Sequence, residues 1–180
     1  MASIGGTEVI VEIDETHLHT RKYSKGRLLA KEREQIWVFG GIERLTKRCF
    51  VCIVPNRSQE VLIDKIRRYI KPGSIIISDQ WRAYTKISEY GYKHFSVNHS
   101  ENFVSPEADF IHVQTIERLW QSLKSIVPKK TSCKNLSSYC AEFMFRQNKL
   151  SDKNVGLRFK IILEKIRDQF PSALNQNKEN

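Results

Sequence analysis

The first half of the chain alternates apolar and polar residues with the two-residue period of β-strands. In the segment EVIVEIDE, residues 8–15, apolar side chains recur at Val9, Val11 and Ile13. Neighbouring side chains of a strand point to opposite faces, so Asp14 and Glu15 are expected on different sides of the sheet. After a basic loop, predicted over residues 19–27, two more strand-like runs follow, IWVFGGIE and RCFVCIVP, with the turn-prone RLTK between them. The pattern predicts an antiparallel three-stranded meander.

The second half of the chain has mainly a helical period, interrupted by two short strand-like runs. SQEVLIDKIRRYI predicts a helix that starts after Ser58 and stops at KPG, and WRAYTKISEY predicts a second helix. Between them SIIISD predicts a central strand buried on both faces, and KHFSVN predicts a fifth strand. HVQTIERLWQSLKSI is strongly amphipathic and predicts a helix with His112 as a candidate cap, and NLSSYCAEFMFRQNK predicts another.

The folded part of the chain is expected to end near residue 170. GLRFKIILEKIRDQF still carries apolar residues at helical spacing, whereas the polar residues 171–180 are expected to fray. One domain over residues 1–170 therefore has the order β-β-β-α-β-α-β-α-α. That order predicts an α/β, ribonuclease H-like fold: a mixed five-stranded sheet with an antiparallel three-strand meander and flanking helices.

Composition adds a preference for polyanions. The 180 residues include 30 Lys and Arg against 20 Asp and Glu, a net charge of +10, so nucleic acid is the first candidate partner. The N-terminus has no signal-peptide pattern, and no apolar run approaches the ~18 residues of a membrane span. The protein is expected to be soluble and not secreted, in the nucleus if eukaryotic and in the cytoplasm if bacterial.

Two of the four cysteines have the C-x-x-C spacing of many zinc sites. These two, Cys49 and Cys52, lie in a predicted strand, where residues three apart point to opposite faces. Filling of the core is therefore favoured over zinc binding. Without a secretory signal the cysteines are expected to stay reduced.

The apolar run SIIISD ends in an acid at the carboxyl end of a central strand. In open α/β sheets this edge is where ligands bind, although an aspartate after a strand also often caps a following helix. Asp14 lies at the end of a strand that the topology places beside the one ending at Asp79. Two carboxylates that close repel each other unless a divalent cation lies between them, which indicates Mg²⁺ or Mn²⁺.

A third acid is carried by the predicted amphipathic helix. Glu117, Trp120 and Lys124 have i, i+3 and i+7 spacing and so share one face; the alternative is a solvated glutamate beside a core tryptophan. Three acids on two strands and a helix suit in-line displacement at phosphorus, in which two metal ions stabilise the attacking and leaving oxygens. Lys124 would hold a phosphate nearby.

Six stretches of the sequence resemble a known family. VEIDET, RKYSKGR, VFGGIER, IKPGSIIISDQWRAY, VNHSENFV and HVQTIERLWQSLK, in order through residues 11–124, are similar to DDE transposases of the Merlin superfamily and their ISXO2-like insertion-sequence relatives. The resemblance implies a catalytic domain for cut-and-paste DNA transposition. It further implies that Asp14, Asp79 and Glu117 bind two divalent ions, Mg²⁺ or Mn²⁺, and that Lys124 is the basic residue that follows the third acid.

The resemblance also implies partners and leaves two other functions open. DNA ends and target DNA would be the partners, and a homodimer on DNA is expected by analogy. Because the chain begins almost at the first catalytic strand, a truncated or host-adopted derivative that binds DNA or partners without catalysis is an alternative. A ribonuclease H-like nuclease is another.

Several further residues are candidates for contacts with DNA or with the site. His17 and His19 follow Asp14 and are candidates to approach the metals, or are exposed loop histidines. Asn98 and His99 follow the fifth strand and are candidates for a place near the active site. Basic residues suited to phosphate contacts, or to a solvated surface, are Arg21, Lys22, Lys25, Arg27, Lys129 and Lys130.

Overall fold

The computed structural model describes residues 3–21, 33–97, 111–128, 131 and 133–170. Its centre is a five-stranded sheet in the order β3-β2-β1-β4-β5. β1 pairs antiparallel with β2 and parallel with β4, so the meander and the parallel half predicted from the sequence are both confirmed. The strands are β1 Ile10–Arg21, β2 Arg33–Glu43, β3 Cys49–Val54, β4 Ile75–Asp79 and β5 Lys93–Val97.

Four α-helices are present in the described part of the chain: α1 Gln59–Tyr69, α2 Gln114–Ile126, α3 Cys133–Phe145 and α4 Val155–Gln169. α1 begins where the sequence predicted, because the Ser58 hydroxyl accepts a hydrogen bond from the Val61 N–H. α3 continues into a π-helical turn, Arg146–Leu150. None of these helices is long and apolar enough to cross a membrane.

The helix predicted over WRAYTKISEY is wrong. The segment forms two short 3₁₀ turns, Arg82–Tyr84 and Ile87–Tyr90, and ends at Gly91 in the left-handed conformation. Tyr84 and Ile87 are buried, and the Tyr84 ring lies edge-on to His94 of β5, with ring centroids 6.4 Å apart. Aromatic and β-branched residues have only a weak intrinsic preference for the helix, so the burial of these two side chains decides the local conformation.

The two faces of the sheet pack against different helices. On one face Phe50 of β3 stacks on Tyr69 of α1, with ring centroids 4.9 Å apart. On the other face Trp120 of α2 covers Gly40 of β2: a Cβ on Gly40 would lie 2.5 Å from the indole. Asp14 is paired with Gly40 across the two strands. The α2 side of the sheet therefore carries Asp14, and Glu15 lies on the opposite side, so the opposite faces that the alternation in β1 predicted for them are confirmed.

The helix predicted near the C-terminus is confirmed as α4, but α4 does not pack into the core. Its N-terminus is capped by Asn154, whose side-chain oxygen accepts the Leu157 N–H at 2.9 Å. None of its residues is buried. Large apolar side chains therefore stay exposed along α4: Val155, Leu157, Phe159, Ile162, Leu163, Ile166, and then Phe170 just beyond it.

Candidate active site

Asp14 and Asp79 lie at the same level of two neighbouring strands. β1 and β4 run parallel with Glu12 opposite Ile77, and each aspartate lies two residues further along its strand. Side chains two residues apart in a strand share a face, so both carboxylates project toward α2. The predicted juxtaposition therefore follows from the observed register.

The expectation that Asp14 ends its strand is wrong. β1 continues to Arg21, into the segment that the sequence indicated as a loop, because it pairs with β2 as far as Arg33. Only β4 stops at this level, at Asp79. The site therefore lies at the end of β4, beside the middle of β1, the first strand of the long β1–β2 hairpin.

The Asp14 carboxylate is held by a tryptophan, and its pKa is above that of an exposed aspartate. Its Oδ2 accepts a hydrogen bond from the Trp120 indole N–H at 2.9 Å. Burial raises the pKa of Asp14 to about 6, and the negative charges of Asp79 and Glu117 add to the increase. These charges act on Asp14 because all three acids face one region.

Asp79 shapes the turn that follows β4. Its Oδ1 accepts the backbone N–H of Trp81 at 3.0 Å, which is an Asx-type turn. The helix cap that the sequence left open is not formed: Trp81, not Asp79, is at the N-cap of the 3₁₀ turn that follows, and no side chain caps that turn. The hydrogen bond from the Trp81 N–H engages one oxygen of Asp79, a contact that fixes the carboxylate and is compatible with metal binding through the other oxygen.

Glu117 and Lys124 lie on the exposed side of α2. Ile116, Leu119 and Leu123 bury the opposite side of the helix, and Trp120, 5% exposed, lies between the two sides. Glu117 is solvated, as the simpler interpretation held, yet its charge acts on Asp14. Lys124 is exposed two turns further along the same helix.

The three acids have the donor chemistry of a Mg²⁺ or Mn²⁺ site. Carboxylate oxygens are the ligands these hard cations prefer. A cation would offset the cost of burying the Asp14 charge, which is the main cause of its raised pKa, and also the smaller repulsion from Asp79 and Glu117. Among the described residues, no group of three His, Cys, Asp or Glu side chains is already gathered tightly enough to hold a metal ion. Asp14 and Asp79 are each held by a hydrogen bond, whereas the Glu117 side chain is exposed.

Other predicted candidates do not gather at this site. His17 lies on the opposite face of β1, where its ring meets Trp37 edge-on at 5.4 Å. Of the two alternatives for His17, the approach to the metals is therefore not favoured; the residue is exposed, but on a strand and not in a loop. Cys49 and Cys52 are free thiols whose pKa burial raises to about 12, which does not favour zinc binding. Outside the described residues or side chains lie His19, Arg21, Lys22, Lys25, Arg27, Asn98, His99, Lys129 and Lys130.

The face opposite Asp14 holds a second carboxylate and an aromatic stack. Burial raises the pKa of Glu15 to about 7, and the nearby hydroxyl of the buried Tyr84 partly opposes this increase. The Arg57 guanidinium lies over Trp37 at 4.0 Å and over Trp81 at 4.5 Å. Trp81 and Tyr84 thus support the end of β4 from the side away from the three acids.

A role for Glu12 was not predicted from the sequence. This residue is fully buried on the same face as Asp14 and contacts the first turn of α2. The available signal was a glutamate at an inward position of an otherwise apolar strand, since a buried charge requires a partner.

Comparison with known proteins identifies the chain's relatives. Residues 5–148 match the model of the ISXO2-like transposase domain. The sequence is 28% identical over 82 residues to an uncharacterized transposase-like protein of Haemophilus influenzae. That alignment covers 46% of this chain and 64% of the relative, so the chain spans less than two thirds of the relative's length.

Two solved structures share the fold. The chain is similar to the catalytic core domain of BIV integrase, with a TM-score of 0.54 and 12% identity, over 91% of this chain and 99% of that one. It is also similar to the HTLV-2 integrase catalytic core domain in complex with magnesium, in a dimeric form, with a TM-score of 0.50 and 15% identity over 82% and 93% of the two chains. These integrase cores have a ribonuclease H-like fold, which the mixed sheet described above shares. The chain itself belongs to the ISXO2-like transposase family.

Proposed function

We propose that this chain is the catalytic domain of a DDE-type DNA transposase, a polynucleotidyl transferase that cleaves phosphodiester bonds and joins DNA strands. One observation carries the proposal: Asp14 and Asp79 share a level and a face of the sheet, and the charge of Glu117 acts on Asp14 from α2. Membership of the transposase family supports the same assignment.

Asp14, Asp79 and Glu117 would hold two Mg²⁺ or Mn²⁺ ions. When bound, these ions supply charge stabilisation to the attacking and leaving oxygens of the phosphodiester. The HTLV-2 integrase core in complex with magnesium supports this choice of cation. The chain contributes the placement: the Trp120 indole orients Asp14, and the Trp81 amide orients Asp79.

The basic residues would hold DNA against this site. Lys124 lies on the helix that carries Glu117 and would contact a phosphate as a point charge. Arg21, Lys22, Lys25, Arg27, Lys129 and Lys130 would add phosphate contacts, which position DNA without selecting its sequence. Transposon ends and target DNA are the proposed substrates, and a homodimer on DNA is the proposed assembly.

The test is nicking of supercoiled plasmid DNA in Mn²⁺ by the wild type and by Asp79→Asn. The wild type is expected to nick the plasmid, and the variant to be slower by about 100-fold or more, since a lost metal ligand removes several kcal/mol of transition-state stabilisation. Asp64→Asn is the matched control, because Asp64 is an exposed aspartate on α1. No nicking by the wild type at any Mn²⁺ concentration, or equal nicking by Asp79→Asn, would contradict the proposal and favour a non-catalytic derivative.

A further inference from the structure

Glu12 is a fully buried acid at the centre of the fold. It lies two residues before Asp14 in β1, on the same face of the sheet, and its side chain is 0% exposed. A carboxylate in this position is costly unless hydrogen bonds or an opposite charge compensate its lost hydration. Its partners therefore indicate what the position contributes.

The Glu12 carboxylate caps α2 from outside the helix. Its Oε2 accepts the backbone N–H groups of Thr115 and Ile116, at 2.8 and 3.0 Å. These are among the first N–H groups of α2, which have no partner within the helix. The residue at the N-cap position, Val113, supplies no side-chain hydrogen bond. A glutamate from the neighbouring strand thus does what a local Ser or Asp does in most helices.

Arg44 connects the same carboxylate to the segment before the helix. Its Nε donates to Glu12 Oε1 at 2.8 Å, and its terminal NH2 group donates to the His112 carbonyl at 2.8 Å. His112 Nδ1 lies 3.7 Å from Glu12 Oε1. The expectation that His112 itself caps the helix is wrong, since Glu12 receives the helix N–H groups. One member of this ion pair, Arg44, thus binds the His112 carbonyl, and the other, Glu12, binds the amides at the start of α2.

This network joins the two elements that carry the proposed catalytic acids. Glu12 and Asp14 are on one strand, and Glu117 directly follows the capped residue Ile116. One turn further along α2, Trp120 hydrogen-bonds Asp14. The position of α2 along β1 is thus fixed at two points, one on each side of Glu117.

We propose that Glu12 is a positioning residue that sets the placement of Glu117 relative to Asp14. This inference rests on the proposed function, because it gives Glu12 a role in assembling that metal site. Glu12 contacts no substrate and no metal in this account. It acts through the first turn of α2, so its loss is expected to weaken metal binding by the three acids rather than remove it.

Glu43 provides a matched control for the cost of changing a buried glutamate. It is 3% exposed, accepts the Gly5 N–H at 2.6 Å and the Thr46 hydroxyl, and pairs with Arg48 at 3.8 Å. It lies across from Val11 in the register of β1 and β2, so it is on the face opposite Glu12. A general loss of stability should therefore affect Glu12→Gln and Glu43→Gln alike, whereas a loss of positioning should affect only the first.

The experiment compares wild type, Glu12→Gln and Glu43→Gln at a temperature where all three are folded. The first readout is hydrogen exchange of the Thr115 and Ile116 amides, which should quicken at least about tenfold in Glu12→Gln only. The second is the Mn²⁺ concentration for half-maximal plasmid nicking, which should rise about 10- to 100-fold in Glu12→Gln only, as for other residues that orient metal ligands. Arg44→Lys, which keeps the charge but cannot form both hydrogen bonds, should shift both readouts in the same direction by less.

The possible failures are distinguishable. A wild type that nicks no plasmid at any Mn²⁺ concentration would refute the proposed function, and the exchange readout would still test the cap. Amide exchange in Glu12→Gln equal to that in Glu43→Gln would overturn the inference whatever the activity. So would an unchanged Mn²⁺ dependence in Glu12→Gln beside an active wild type. Should Glu12→Gln fail to fold, Arg44→Lys decides by the same two readouts.

Discussion

α2 and α4 both carry apolar residues at helical spacing but have very different surroundings. α2 buries Ile116, Leu119, Trp120 and Leu123 and is capped by a glutamate from β1. α4 is two residues longer, carries its own cap at Asn154 and buries none of its residues. An apolar stripe at helical spacing thus predicts a helix in both cases, but the contacts with the sheet decide which helix is fixed in place. Only the fixed helix carries a proposed catalytic acid.

The largest expected difference between the two helices comes from one leucine on each. Leu123 of α2 is 0% exposed, whereas Leu163 of α4 is 50% exposed. Leu123→Ala should lower the free energy of unfolding by about 2–5 kcal/mol, because it leaves a cavity in the core. Leu163→Ala should change it by less than about 1 kcal/mol. Urea denaturation measures both, and equal losses would mean that α4 packs as α2 does.

The second difference is between two aspartates, the partly buried Asp14 that α2 covers and the exposed Asp168 of α4, and it depends on pH. Burial raises the pKa of Asp14 from 3.8 to about 6, so the folded state binds this proton more tightly than the unfolded chain. The associated stability is fully present below about pH 4 and is lost as the pH rises through about 6. Without divalent metal the loss should be at most about 3 kcal/mol.

Two variants separate this contribution of Asp14 from the rest of the pH profile. In urea denaturation from pH 4 to pH 8, Asp14→Asn should fall less steeply in stability than the wild type. Asp168→Asn on α4, an exposed residue beside Lys165, should keep the wild-type slope. An unchanged slope in Asp14→Asn would show that burial of this carboxylate has no such cost.

The third difference concerns two glycines: Gly40 of β2, which packs against α2, and Gly156 within α4. A Cβ on Gly40 would lie 2.5 Å from the Trp120 ring and 2.9 Å from the Phe50 carbonyl oxygen, so Gly40→Ala should lower stability by about 1–3 kcal/mol. A Cβ on Gly156 in α4 meets nothing closer than 3.7 Å. Gly156→Ala should therefore be neutral or stabilise by up to about 1 kcal/mol. Thermal unfolding of the pair measures the contrast, and a well-tolerated Gly40→Ala would mean that Trp120 can move away from Asp14.

The smallest effect is expected at the local cap of α4. Asn154→Ala removes the hydrogen bond to the Leu157 N–H and should weaken the helix by about 1 kcal/mol or less. Since no side chain of α4 is buried, this loss should appear as faster amide exchange at the start of α4 with an unchanged midpoint of global unfolding. A lower global midpoint would indicate that α4 unfolds together with the sheet.

Most of the features that sequence patterns predicted are encoded within a few residues. The alternation around Asp14 gave its face of β1, and the apolar run before Asp79 gave the buried strand β4. The order of the elements also predicted that Asp14 and Asp79 lie on neighbouring strands, but features that depend on individual long-range contacts could not be predicted. β1 extends beyond Asp14 because β2 pairs with it, and the Thr115 and Ile116 amides that donate to Glu12 are more than 100 residues away in the chain. The α4 stripe likewise indicated a helix without indicating what, if anything, it packs against.

Direct binding of Mn²⁺ tests most directly the claim that Asp14, Asp79 and Glu117 form one metal site. Isothermal titration of Mn²⁺ should show binding to the wild type and to the control Asp64→Asn. The same titration of Asp14→Asn and Glu117→Gln should show at least about tenfold weaker binding, because each variant removes a carboxylate ligand. Equal Mn²⁺ affinity in all four proteins, or no binding by the wild type, would contradict the account.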